Sequence, residues 1–190
     1  MKEWLLRMTA FVLLVSGSLL FADGCWIKAK AVLAQHLLHR AWEHTLQRGE
    51  PTKAWPWADT WPMARLRVER LGVDLIVLEG ESGEVLAFGP GHIPRSSEPS
   101  ADGHCVLAGH RDTSFRFLQE LQVDDSISLQ SRDGEWYSYS VRATAIGEAD
   151  RLYLEESDLP CLTLLTCYPF AALDSRTNLR YLVFADRIPG

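Results

Sequence analysis

Hydrophobic and polar positions change their period three times along the chain. Met8 to Ala22 reads MTAFVLLVSGSLLFA, an uncharged apolar run that Leu5 and Leu6 extend toward the start across Arg7. From Trp26 to about Gln47, Ile27, Ala31, Ala34, Leu38, Ala41 and Trp42 recur at three- and four-residue steps. That spacing predicts an amphipathic helix, which Arg48-Gly49-Glu50-Pro51 should end. Ala54 to Pro62 then carries two prolines among three tryptophans. This composition forbids a regular helix and predicts an extended path that buries aromatic surface across the domain. From Met63 onward the pattern shortens to strand-like runs: Ala64–Val68, Val73–Leu78, Val85–Phe88, Cys105–Ala108, Ser126–Leu129, Trp136–Val141, Leu162–Thr166 and Tyr181–Ala185. Gly80, Ser82-Gly83, Gly89-Pro90-Gly91 and Asp133-Gly134 supply turn chemistry between several of them. One helix is expected among them, at Ser114–Leu121. About eight strands with so little helix predict a mainly β fold, a closed or nearly closed barrel.

Composition agrees with a folded domain. The chain has 190 residues, 47% of them apolar and 23% charged, enough for one core and short for two. The net charge is −6 and there is no basic cluster, which argues against nucleic acid as a partner. Charge changes the reading of the N-terminus more. Lys2 and Arg7 ahead of an apolar run form an export signature, with the basic end staying in the cytoplasm. The run is shorter than the roughly 20 residues that span a bilayer comfortably. No small-x-small cleavage site precedes Asp23, so an uncleaved signal-anchor is expected over residues 1–25. Cys25 lacks the upstream aliphatic residue that lipidation would need. The expected divisions are therefore 1–25 as a transmembrane anchor, 26–62 as amphipathic helix and Trp/Pro-rich lead-in, and 63–190 as the barrel, on the extracytoplasmic side of the inner membrane.

Export permits disulfides. Cys25, Cys105, Cys161 and Cys167 are the four cysteines. Cys161 and Cys167 share a strand face but sit ~20 Å apart along it, beyond disulfide reach. His36 and His39 lie three apart on the predicted helix, with no carboxylate or cysteine to complete a ligand set.

Nucleophilic cysteine chemistry needs an ionisable thiol, an imidazole that exchanges protons and a donor for the developing oxyanion. Leu162-Thr163-Leu164-Leu165-Thr166 delivers Cys167 to a strand end, and Tyr168-Pro169 stops the strand there. A thiol at that position is either reachable by substrate or a small buried hydrophobe. Val106 to Thr113 reads VLAGHRDT and places His110 at a strand-to-helix junction. Asp112 either orients His110 or sits in the first turn of the helix that follows. Arg180 opens the next strand, where a hairpin-like return would bring it alongside Cys167. Arg176, in the loop Asp174–Asn178, competes with it for the role of donor.

Taken together, TLLTC, the Cys-Tyr-Pro-Phe continuation, Ala-Gly-His-Arg-Asp-Thr and the late arginine resemble the sortase signature, in that family's order of His, Cys and Arg. The resemblance covers roughly Ala64 to Arg187. The upstream Pro-Trp-Ala-Asp-Thr-Trp-Pro and single anchor look like the small sortase group of Gram-negative bacteria. The resemblance implies a sortase-like closed β-barrel of about eight strands with Cys, His and Arg at one end. It implies Cys167 as nucleophile, His110 as general acid/base and Arg180 as oxyanion or substrate donor, with Asp112, Thr166 and His92 in support. The implied reaction is transpeptidation of an exported protein bearing a C-terminal LPxTG-like sorting signal, through a thioacyl-enzyme, to an amine acceptor. No cofactor is implied. The calcium-binding acidic loop of some members is not identifiable here, so no metal is predicted. A cysteine protease that uses water as acceptor and a non-catalytic, membrane-tethered binding module are the rival readings.

Overall fold

The computed structural model describes residues 2–151, 159–172 and 177–188. Its elements are α1 (Lys2–Arg48), β1 (Pro62–Val68), β2 (Val73–Glu79), α2 (Gly83–Leu86), β3 (Gly91–His92), β4 (His104–Ala108), β5 (Ser126–Gln130), β6 (Trp136–Glu148), β7 (Cys161–Cys167) and β8 (Leu179–Arg187). Short 3-10 turns occupy Glu69–Leu71, Arg116–Glu120 and Ala149–Arg151. The eight strands close into a barrel in the order β1-β2-β3-β4-β7-β8-β6-β5, with β5 returning to β1. Two of the neighbouring pairs, β2 with β3 and β4 with β7, are parallel and the rest antiparallel.

The barrel interior is filled by the alternating inward residues of these strands, as a small barrel requires. Leu66 and Val68 of β1, Val77 of β2, Leu107 of β4, Ile127 and Leu129 of β5, Leu162 and Leu164 of β7 and Val183 of β8 are all buried in one cluster. Phe115, Phe117 and Leu118 close it from the segment after β4.

The chain divides into two compact units, 1–36 and 37–190. The boundary falls inside α1, so the predicted 26–47 helix and the apolar run ahead of it belong to one continuous helix. In the second unit the predicted stripe behaves as expected. Leu38, Ala41 and Trp42 are buried, and Leu38 and Trp42 pack with Ile76, Leu78 and Val85. The Trp42 indole N–H donates to the Gln130 side chain at 3.2 Å. Gly49 ends the helix with φ +71° and an N–H bond to the Thr45 carbonyl. In the first unit, among the described residues, no helix is long and apolar enough to cross a membrane. Arg7 and Asp23 bound the uncharged stretch, which leaves it below the usual spanning length.

Several local expectations give way to tertiary packing. Val85–Phe88 is not a strand. Ser82 accepts from the Val85 N–H at 3.3 Å and starts the one-turn helix α2, which buries Val85. The strand forms later, at Gly91-His92, inside a stretch that reads as a turn. A side chain at Gly91 would put its Cβ 2.0 Å from the Gly80 carbonyl oxygen, so only glycine admits this close parallel pairing. Ser114–Leu121 forms a 3-10 turn at Arg116–Glu120 in place of the expected α-helix. Of the lead-in tryptophans, Trp55 packs edge-on against Phe88 at 5.0 Å, while Trp57 stands 79% exposed and buries nothing. The lead-in is fastened to β2 by Thr60, whose hydroxyl donates to the Glu79 carbonyl, and by the Glu79 N–H to Trp61.

Candidate active site

Strand alternation decides which way Cys167 faces. Along β7, Leu162, Leu164 and Thr166 point into the barrel and are buried, while Leu165 and Cys167 lie on the opposite face and are half-buried. Cys167 is the last residue of β7, beyond which the Tyr168 N–H donates to the Leu179 carbonyl and continues the ladder. The thiol is therefore on the outer surface at the barrel's rim. Cys105, Cys161 and Cys167 are all free.

His110 reaches the same rim from β4. β4 and β7 run parallel, with Ala108 beside Leu165, so both strands end together. The Gly109 N–H extends the pairing by donating to the Leu165 carbonyl at 3.1 Å. The buried Thr166 hydroxyl returns a bond to the Gly109 carbonyl at 2.7 Å. These two bonds clasp the two residues before Cys167 to the residue before His110. Gly109 is required there, because a Cβ would approach the Phe115 ring to 2.7 Å. The chain then turns on the His110 carbonyl, which accepts from the Phe115 N–H at 2.9 Å.

Cys167 and the exposed His110 together line a cleft of about 350 Å³, with Ala87, Arg111, Asp112 and Thr113 as its other walls. Arg111 was not singled out from sequence. It is 8% exposed, and its Nη2 donates to the Ala172 carbonyl at 2.8 Å, tying the His110 turn to the loop that follows Cys167. The available signal was its place inside AGHRDT, where an arginine among polar neighbours reads as solvated.

Arg180 is the direct cross-strand partner of Cys167 in the β7–β8 pair. Partners directly opposite share a face, so both side chains leave the same side of the sheet. The guanidinium is held in place by the chain beside it: Nη1 donates to the Thr177 carbonyl at 2.8 Å and to the Leu179 carbonyl at 3.0 Å. It is not a wall of the cleft. Arg176, the competing arginine, lies outside the described residues.

Asp112 lines the cleft, but no hydrogen bond joins it to His110 in this arrangement. His92 is elsewhere, buried on β3. Its Nδ1 meets the Glu79 carboxylate at 3.3 Å, and Nε2 meets the Ser97 carbonyl at 3.1 Å. Burial pulls its pKa down, but the Glu79 hydrogen bond and charge, with help from Ser97 and Glu98, more than offset this and raise it above the ordinary value. His92 thus fastens β2 to the loop before β4, a structural task. Among the described residues no cluster of three or more His, Cys, Asp or Glu side chains is placed to hold a metal.

Comparison with known proteins supplies the family. The family model described as Sortase domain matches residues 66–188. The chain belongs to the sortase family. Sortase D from Bacillus subtilis strain 168 is 32% identical over 125 residues, covering 65% of this chain and 62% of that protein. The chain thus spans less than two thirds of this relative's length. Among solved structures, a sortase D5 transpeptidase from Clostridium perfringens shares the fold at TM-score 0.67 and 22% identity, covering 83% of this chain and 99% of that one. Sortase C1 from Streptococcus agalactiae superposes at TM-score 0.60 and 29% identity over 68% of each chain. The closed barrel predicted from the strand pattern, which the resemblance implied to be sortase-like, is therefore the fold observed, and the matched residues contain both cleft residues, Cys167 and His110.

Proposed function

We propose that this sortase is a cysteine transpeptidase that cleaves an LPxTG-like sorting signal on an exported protein and transfers the acyl group to an amine. The observation that carries the proposal is the shared cleft: a rim thiol and an exposed imidazole, from two parallel strands clasped at their ends, face one space. The Cys167 sulfur attacks the Thr–Gly carbonyl, forming a C–S bond. The C–N bond then breaks, and His110 gives a proton to the departing amine. A thioacyl-enzyme remains. An amine acceptor reverses the sequence, losing its proton to His110 as the new C–N bond forms and the C–S bond breaks, and the thiol is restored. Arg180 serves the tetrahedral oxyanion. Its position opposite Cys167 supports this role, and it requires the guanidinium to exchange the Thr177 and Leu179 carbonyls for the substrate oxygen. Thr166 acts as a positioning residue through the Gly109 carbonyl. Asp112 stands at the cleft wall, where an acceptor ammonium would pass.

The membrane end of the proposal rests on the first unit. Lys2 and Arg7 precede the apolar run, and Phe11, Leu13, Leu14 and Phe21 are all more than 60% exposed on the helix. A lipid phase would bury such a surface, with the charged end retained in the cytoplasm and the barrel outside the inner membrane. Fractionation of cells producing the full chain, with protease added to spheroplasts, checks this. Barrel digestion without lysis is the expected result, and a protected barrel would contradict it.

The reaction is tested by incubating the chain with an LPxTG peptide, with and without an amine. A ligated product that grows with amine concentration separates transpeptidation from a protease, which would give hydrolysis products at every concentration. A binding module would give no Cys167-dependent cleavage at all.

A further inference from the structure

A second cleft adjoins the first. It measures about 340 Å³ and is lined by Arg111, Asp112, Arg116, Gln119, Phe170 and Ala171. The two spaces share Arg111 and Asp112, so they meet at the turn that carries His110. The first holds the thiol. The second is lined by neither Cys167 nor His110 and contains no nucleophile.

Its chemistry is mixed and unspent. Asp112 and Arg116 are both exposed, and neither forms an ion pair with any described residue, although both line this one small space. Gln119 adds an amide. Phe170 supplies an apolar wall, packed edge-on against the Tyr181 ring at 5.2 Å and the Tyr168 ring at 6.2 Å. A volume of this size suits an amino-acid or dipeptide end.

We infer that this second cleft is the acceptor site, and that it selects an amine whose own molecule carries a carboxylate. The inference rests on the transpeptidase reading above. Asp112 gathers the acceptor's ammonium beside His110, and Arg116 binds the carboxylate at the far end through charge-assisted hydrogen bonds. The ammonium gives up one proton to solvent water and becomes a neutral amine. Its lone pair forms the C–N bond to the thioester carbonyl and the C–S bond breaks. The second amine proton passes to His110 and from it to the Cys167 sulfur. Arg116 lines the second cleft and not the first, so it sets which amine is used rather than whether the thioester forms.

The test uses the full chain, an LPxTG peptide as donor, and two acceptors that differ only in charge: diglycine and its C-terminal amide. The wild type should favour diglycine by on the order of tenfold in kcat/KM. Arg116→Ala should bring that preference close to one, and Arg116→Glu should invert it. Because each preference is a ratio within one variant, any loss in thioester formation cancels. Equal use of the two acceptors by the wild type, or an unchanged preference in Arg116→Ala, overturns the inference. Calorimetric titration of both dipeptides into the resting chain reads the same preference as a ratio of Kd values without a donor. If no peptide is cleaved, the transpeptidase reading fails, and the titration alone decides the acceptor site by the same criterion.

Discussion

Cys105 and Cys167 occupy neighbouring strands, and their surroundings give the two thiols opposite characters. Cys105 is 1% exposed inside the barrel, where burial pushes its pKa far above the usual thiol range, so it stays protonated and unreactive. Cys167 stands on the outer face at the rim. Brief treatment of the folded chain with iodoacetamide should therefore alkylate Cys167 and leave Cys105 untouched, as peptide mapping would read. Modification of Cys105 before Cys167 would contradict the assignment. Thr166, one residue earlier, faces inward with its hydroxyl committed to the Gly109 carbonyl. Thr166→Val keeps the shape and strands that carbonyl in a buried place. It should cost about 1–3 kcal/mol of stability and lower turnover more than it raises donor KM, because the clasp between the Cys167 and His110 strands loosens. Denaturant melts and steady-state kinetics of the variant check both halves.

At the scale of elements, α1 and β3 hold the frame on which the rim is built. Trp42 is 1% exposed against β2 and its ring N–H is bonded to Gln130, so Trp42→Ala should destabilise the second unit by about 3–5 kcal/mol, measured by urea unfolding. His92 makes the β2–β3 region sensitive to pH. Its folded pKa is raised, so its stabilisation is complete below the unfolded value near 6.5 and is lost as pH rises through the higher folded value. The Tm of the wild type should fall from pH 6 toward pH 8, and Glu79→Gln should flatten that fall; parallel curves for the two proteins would contradict the pairing. These same elements mark how far the sequence could be read. β7, β4 and the Leu38–Trp42 stripe were legible because periodicity alone specifies a buried face. β3 was not, because Gly89-Pro90-Gly91 has turn composition and only the approach of Gly80 makes a strand of it. Val85–Phe88 failed for the converse reason: its residues suit a strand, but Ser82 caps a helical turn. Cys167 and His110 were legible as strand ends. Arg111 and the second cleft were not, since both depend on the loop after β7 folding back over the His110 turn.

At the scale of the whole barrel, an apolar interior carries the thiol and the imidazole at its rim. Parallel pairing of β4 with β7 brings two strand ends to one place, and the antiparallel return of β8 sets Arg180 beside Cys167. His110→Ala leaves the thiol but removes the proton carrier, and turnover should fall by roughly 10²–10⁴. Arg180→Ala should cripple turnover while the fold survives, because among the described residues its guanidinium bonds only the Thr177 and Leu179 carbonyls at the strand's edge. The most direct measurement of the central claim is the intact mass of the full chain mixed with an LPxTG peptide and quenched in acid. An adduct with the mass of the acyl fragment is expected on Cys167, absent from Cys167→Ala and discharged when an amine is added. Cleavage of the peptide by Cys167→Ala, or an adduct on another residue, would contradict it.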